Sequence, residues 1–588
     1  MPDTEEEHVS ETTISDAAGG RRPVRHLDPD RVRRSPGASR VAETTYVADR
    51  LIVRGPLPAG LRGQVAEAVP ALVAGGGSAQ AGLDPWPEDD EPQTWIDGVR
   101  RIATEMGYRV VYDGTLGDLA VDDVDDETFG YALRLVPLRD DDVEVDAWQV
   151  LERIAGELGE LDARDDGDEG EERTPRVGLD HVMRAQRHRS TPMPFVPVAR
   201  ARSTPLPYSA VDEYGRPGTG GLTPVRYLGG APRRELADGP TPWAAADGTR
   251  RPVVAIVDTG VGSHPWFGEY DPHDPQDSPV VVRTASLDGR PVGLFPVSRF
   301  DSEDAEFGGL SVDPLTGPLD PVAGHGTFMA GVVHQVCPDA VLMAVRAFGG
   351  SGDIPEWQVL HTLWRLLRYH RRGLAGRDGY HQVDVVVLAM GYYHEQPVDY
   401  GYDGPLRRVL RELRRAGVVV VTAAGNDGTT RPLFPAAWAP RLEHRENGPA
   451  PVDDHQLSST YPPLLVAGAT NPDGTIAVFS NDGPWVTCVR PGAAVVSTMP
   501  TTLDGPETPE ARVAERLRPG VRATVDPDDF TGGYATWSGT SFSAPYLAAQ
   551  IAAARLGRAR ADGDLAAATW DAVAQATGLG PVGSSASG

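Results

Sequence analysis

The sequence predicts an α/β protein in two folded parts: a large domain with a parallel sheet over residues 251–560, and a smaller α/β domain before it over residues 46–185. The first observation behind this is a series of apolar runs after Arg251. They are Pro252 to Val257, Val341 to Ala347, Val383 to Met390, Val418 to Ala423, Leu464 to Ala469 and Ala494 to Thr498. None alternates with polar residues, and helical patterns at Trp357 to Tyr369 and Leu406 to Ala416 lie between them. Unalternating strands separated by helices are buried on both faces, as in a parallel sheet. The second observation is length: 588 residues exceed one ordinary domain. The third is the different texture of the first 185 residues, where shorter strands and helices alternate.

In that first part, Tyr46 to Arg54 alternates like a strand and Leu61 to Val73 is a short amphipathic stretch. Trp95 to Met106 has helical spacing, and Tyr108 to Tyr112 and Tyr131 to Leu138 read as strands. Ala147 to Leu161 is the clearest helix, with Trp148, Leu151, Ile154, Ala155 and Leu158 on one face. Val177 to Met183 closes the unit. Residues 1–45 read as a disordered, charged leader, 186–250 as a Pro/Arg-rich linker, and 561–588 as a C-terminal helix with a flexible tail. The acidic run Asp162 to Glu172 has no metal-ligand spacing and reads as a solvated loop.

The formal net charge is −29, and all 55 cationic residues are arginine, scattered along the chain. So acidic a chain argues against a nucleic-acid partner and against docking on anionic lipid. No apolar run of spanning length occurs, and the N-terminus has neither the cationic nor the apolar region of a secretory signal. A cytoplasmic location is therefore expected, unless a non-Sec route exports the chain. The two cysteines, Cys337 and Cys488, do not make a disulfide framework.

Four stretches carry chemistry. Asp258 follows the first apolar strand, in Val-Asp-Thr-Gly. An acid at the end of a buried strand needs a strong donor to remain ionised, and a histidine is one candidate. Asp-Thr-Gly also occurs in aspartic proteases, which need a second such acid, and no second copy is present. His325 sits in Gly-His-Gly-Thr at the start of a small-residue helix, where Ala330 and Gly331 permit close packing. Asn426 ends the run Thr422 to Asn426, which follows another apolar strand, and there a side-chain amide can be aimed at a developing oxyanion. Ser541 lies in Gly-Thr-Ser-Phe-Ser-Ala-Pro before the alanine-rich stretch Tyr546 to Leu556. A serine in the first turn of a helix meets the positive end of the dipole and free N–H groups, and Pro545 suits that turn.

Together the three stretches around Asp258, His325 and Ser541 resemble the aspartate, histidine and serine signatures of the subtilisin (subtilase) family. The order Asp, His, Asn, Ser is also that family's. Residues 539–545 and 324–327 carry the closest matches, and the resemblance covers roughly residues 251–560. It implies a subtilisin-like three-layer α/β/α catalytic domain and a serine endopeptidase. In it Ser541 would be the nucleophile, His325 the general base, Asp258 its orienting acid, and Asn426 an oxyanion donor. The resemblance also implies backbone pairing of a protein or peptide substrate along Ala389-Met390-Gly391 and Ala423-Ala424-Gly425. The first segment departs from the family's usual Ser-Leu-Gly. Subtilases often carry an inhibitory α/β propeptide, so residues 46–185 are expected to act as an intramolecular chaperone or inhibitor, removed by cleavage in the 165–250 linker.

The spacing from Asp258 to His325 is 67 positions, longer than in compact subtilisins, and the insert at 263–320, like that at 500–534, reads as surface loop. No cofactor is required. Some relatives bind calcium, but no fixed ligand spacing supports it here, and no metal ligand is assigned. Two alternatives use the same fold: a peptide ligase or cyclase resolving the acyl-enzyme with an amine, and a catalytically silent binding module.

Overall fold

The computed structural model describes residues 13–15, 21–29, 41–54, 94–113, 130–139, 144–158, 162–163, 174–175 and 177–185, and 220–581 with short breaks at 316, 396–403, 446–447, 453–456, 515–519 and 557–564. The stretch Leu61 to Val73 and the centre of the acidic run lie outside the described residues. The chain divides into two compact units. The first holds residues 1–183, 354–361 and 392–409; the second holds 184–353, 362–391 and 410–588.

The first unit is built on an antiparallel sheet. Its strands are β1 (Arg21–Leu27), β2 (Thr44–Val53), β3 (Tyr108–Tyr112), β4 (Tyr131–Pro137) and β5 (Val177–Ala185), with helices α1 (Thr94–Glu105) and α2 (Ala147–Leu158). The central strand β2 pairs with β1 and β4 along one edge and with β5 along the other, and β3 adds outside β4. Helix α2 buries Ala147, Trp148, Val150 and Ile154 and leaves its charged residues outward.

Strand β1 corrects the expected disordered leader. Arg22 is buried, bridging Asp49 and Asp113, each at 3.1 Å. A charge removed from water persists only when paired in this way.

The second unit is the expected α/β domain. Its main elements are β6 (Val253–Asp258), α3 (His325–Val336), β7 (Val341–Arg346), α4 (Glu356–Leu374), β8 (Val385–Leu388), β9 (Met390–Tyr393), α5 (Gly404–Arg415), β10 (Val419–Ala423), β11 (Leu465–Thr470), β12 (Cys488–Pro491), β13 (Val495–Thr498), β14 (Tyr534–Trp537), α6 (Thr540–Arg555) and α7 (Leu565–Thr577), of which residues 356–361 of α4, 392–393 of β9 and 404–409 of α5 count to the first unit. A seven-stranded parallel sheet runs Val281–Val282, β7, β6, β8, β10, β11, β12. Strands β6, β8 and β10 are buried along their whole length, as their unalternating sequences require. Helices α3 and α6 pack together, with Phe328, Ala330, Phe542 and Leu547 joining the strand core. Gly331 permits close approach of α3 to β13, since a Cβ there would lie 2.2 Å from Thr498 Oγ1.

Two sequence expectations change here. Residues 220–250 are not a linker. Asp339 accepts from the N–H groups of Glu235 and Leu236 and pairs with the buried Arg251, and Thr223 and Pro224 pair with Thr536 and Ala535 of β14. The insert at 263–320 is not all surface loop: Trp266, Phe267, Asp304 and Glu306 are buried. Among the described residues no helix is long and apolar enough to cross a membrane.

Candidate active site

The sheet order β7–β6–β8–β10 brings the carboxyl ends of β6 and β10 to one edge of the second unit, where a site is expected in an open parallel sheet. Asp258 is the last residue of β6, and Asn426 follows β10. His325 and Ser541 stand in the first turns of α3 and α6, the two helices that pack on each other. Gly324 makes the entry to α3 possible: its φ is +73°, and a Cβ would meet Met499 and Pro500 at 2.7 and 2.8 Å.

Asp258 and His325 are joined directly, with Nδ1 2.8 Å from Oδ1. Both side chains are buried. Oδ1 also accepts from the Thr259 N–H at 2.9 Å. With Nδ1 donating to the carboxylate, Nε2 is the basic nitrogen. Among the described residues Nε2 has no hydrogen-bond partner. The imidazole ring lies 5.6 Å from the ring of Phe542, the neighbour of Ser541, and is packed edge-on against Trp537.

Asn426 is held by Thr540, a residue that the sequence reading passed over. Its Oδ1 accepts from both the Thr540 N–H and the Thr540 hydroxyl, each at 2.9 Å. That contact occupies the carbonyl end and makes Nδ2 the end of the amide that can donate elsewhere. The Thr540 oxygen in turn accepts from the Gly425 N–H at 3.1 Å. Gly425 has φ +112°, and a Cβ there would strike Asn481 Nδ2 at 2.1 Å, so no larger residue fits. The signal for Thr540 was its position beside Ser541 in Gly-Thr-Ser.

Glu306 was also missed, because it lies in the insert read as loop. Fully buried, it contacts the hydroxyls of Thr259 and Thr327 and accepts from the Gly326 N–H at 3.1 Å. Thr259 Oγ1 also lies 3.2 Å from Asp258 Oδ1. One hydroxyl proton cannot serve two carboxylates. If Glu306 keeps its own proton, it donates to Thr259 and Thr259 donates to Asp258, so every contact is satisfied. Burial pushes Glu306 up to about 8, against the Thr259 and Thr327 hydrogen bonds and with the charges of Asp258 and Asp304 adding to the rise.

The predicted substrate segments lie at strand ends: Ala389 between β8 and β9, and Ala424 and Gly425 just after β10. Ala389 and Met390 are buried, and Gly391 continues β9. Ala423 ends β10, and the Ala424 N–H is already bound to Ala467 at 3.1 Å. The last two residues of β5, Arg184 and Ala185, belong to the second unit and pair antiparallel with Gly391 and Met390. The Ala185 N–H also donates to Gly352 at 2.7 Å.

Residues 249–577 match the subtilase family (peptidase S8), and this chain belongs to that family. Among curated proteins it is similar to serine protease AprX of Bacillus subtilis, 24% identical over 307 residues, covering 50% of this chain and 55% of the relative. It is also similar to the major intracellular serine protease of B. subtilis, 24% identical over 206 residues, covering 33% and 52%. The chain spans about half the length of these relatives. Among solved structures it is similar to fervidolysin of Fervidobacterium pennivorans, with TM-score 0.39 and 15% identity over 87% of this chain and 55% of that one. A cold-adapted subtilisin-like serine proteinase gives TM-score 0.31 and 18% identity over 57% and 82%.

Proposed function

We propose that the chain is a serine endopeptidase that cleaves protein or peptide substrates through an acyl-enzyme. The Asp258–His325 hydrogen bond carries this reading, because it leaves Nε2 as the base beside the first turn of α6. In the proposed sequence Ser541 Oγ attacks the scissile carbonyl while its proton passes to His325 Nε2. The buried Asp258 stabilises the imidazolium that results. The tetrahedral oxyanion is held by Asn426 Nδ2 and the Ser541 N–H at the positive end of α6. His325 then gives its proton to the leaving amine, and water repeats the sequence on the ester. Ala389, Met390 and Gly391 would pair with substrate backbone, and Ala423, Ala424 and Gly425 would wall the opposite side.

The chain is further proposed to be latent. Ala185 donates to Gly352 and lies opposite Met390 in the β5–β9 pairing, along the segment proposed to take substrate backbone. A segment seated there competes with substrate at very high effective concentration.

The test is a fluorophosphonate probe applied to the full chain and to Ser541→Ala, with intact masses recorded over time. Labelling of the wild type alone identifies the nucleophile, and loss of an N-terminal fragment adds self-processing. Absence of labelling both before and after the first 185 residues are clipped away would reject the peptidase. Product masses from a model peptide distinguish hydrolysis from ligation.

A further inference from the structure

A second cluster of chemically potent side chains lies wholly within the first unit and has no part in the proposed reaction. His181 sits in the middle of β5 and is entirely buried. Its Nδ1 is 2.8 Å from Glu356 Oε2, at the first residue of α4. Its Nε2 is 2.8 Å from Glu395 Oε2, and His394 Nδ1 is 3.6 Å from the same oxygen. His394, Glu356 and Glu395 are buried as well. Tyr392 stacks on His181, with ring centroids 4.3 Å apart and planes 17° from parallel, which fixes the plane of the imidazole. The neighbouring Asp180 is committed elsewhere, to Arg50 and to the Trp357 N–H.

Charge and proton counting make this cluster unusual. Two carboxylates, Glu356 and Glu395, face the two nitrogens of one imidazole. A neutral imidazole has a single N–H and satisfies only one of them. Burial opposes the doubly protonated form, and a buried carboxylate is stable only beside compensating positive charge. One donor atom from each of His181, His394 and Glu395 falls within 4.8 Å of the others. Ligands at bond lengths of about 2.0–2.2 Å in a tetrahedral zinc site stand roughly 3.3–3.5 Å apart, and the 2.8 and 3.6 Å separations bracket that spacing. The carboxylate on the far nitrogen of His181 is the usual outer partner of a metal-bound histidine, fixing its tautomer and its orientation.

We propose that His181, His394 and Glu395 bind one transition-metal ion of the Zn2+ type, with Glu356 as the outer hydrogen-bond partner of His181. Two imidazoles and one carboxylate favour Zn2+ over the all-oxygen ions Ca2+ and Mg2+. On binding, the ion displaces the proton otherwise shared between His181 Nε2 and Glu395, and Nδ1–H continues to donate to Glu356. The three ligands come from β5 and from the turn after β9, so the ion ties together segments some two hundred positions apart in the chain. Because the unfolded chain has no such site, the metal stabilises the folded first unit.

The test uses the full chain carrying Ser541→Ala, which cannot process itself under the proposed mechanism. The protein is stripped with a chelator, dialysed against Zn2+ or Co2+, and assayed for bound metal by elemental analysis. The expected result is one equivalent of either ion, the intense visible bands of low-coordinate Co2+, and a thermal transition several degrees higher with Zn2+ than without. His394→Ala and Glu395→Gln should each lose the ion, while an exposed-site control, His273→Ala, keeps it. Substoichiometric Zn2+ on the wild type overturns the proposal and leaves His181 as an imidazolium between two carboxylates. A full equivalent retained by both folded variants also overturns it, as does selective uptake of Ca2+. If the variants do not fold, the wild-type Co2+ spectrum decides: weak bands of an octahedral aquo-like ion would reject the site. None of these readouts depends on peptidase activity.

Discussion

Thr540 grips Asn426 by two hydrogen bonds of 2.9 Å, from its N–H and from its hydroxyl, both to Oδ1. The side chain that would donate to an oxyanion is therefore set by the residue immediately before the proposed nucleophile. An oxyanion donor contributes only if it is aimed before charge develops.

Asn426→Ala should lower kcat by about 10²–10³-fold with little change in KM, the loss that removing such a donor causes in subtilisin, a relative within the same family. Thr540→Val should lower kcat by about tenfold, because the amide keeps one of its two anchors. Thr540→Ser should recover most of that loss. In the double variant Asn426→Ala/Thr540→Val the two effects should not add, since Thr540 acts through Asn426. Additive losses in steady-state kinetics would refute the positioning role.

Glu306 ties stability to pH. Its carboxyl is raised to about 8 by burial, so the folded chain holds a proton that the unfolded chain releases near its ordinary value. The unfolded state then binds fewer protons across that window, and stability falls as pH rises from about 4.5 to about 8. Glu306→Gln should flatten this part of the melting-temperature profile and leave the protein relatively more stable at pH 9. An unchanged slope would show that Glu306 does not titrate there.

Asp384 works in the opposite sense. It is buried, accepts from the Val253 N–H at 2.8 Å, and pairs with Arg250 at 2.7 Å and Arg555 at 3.0 Å. Burial works to raise its carboxyl, but the two guanidinium charges and the hydrogen bonds prevail and hold it below the usual range. Its contribution is present above the ordinary aspartate value and is lost as pH falls below it. Asp384→Ala should cost about 1–3 kcal/mol at pH 7, because the buried Val253 N–H loses its acceptor and the half-buried Arg555 is left with its contacts to Gly417 and Thr569. The gap between variant and wild type should narrow below about pH 4 in chemical denaturation.

Ala185→Pro tests latency. Proline removes the N–H that donates to Gly352. The proposed inhibitory segment should then bind less tightly, and the full-length chain should react faster with the fluorophosphonate probe. Equal labelling rates for variant and wild type would separate the Ala185 contact from any control of activity.

The sequence by itself determined the parallel sheet and the local form of the site. Fully apolar strands such as Val253–Asp258 and Val419–Ala423 announce burial on both faces, because periodicity is a property of consecutive residues. For the same reason Asp258, Asn426, His325 and Ser541 were legible: each is marked by its immediate neighbours at a strand end or helix start. The tertiary structure alone decided the rest. Glu306 reaches Thr259 across 47 positions, Arg22 reaches Asp113 across 91, and His181 meets Glu395 across 214. No local pattern encodes such meetings. They follow from strand order and packing, and they matter most for buried polar groups, which must find partners wherever the fold provides them.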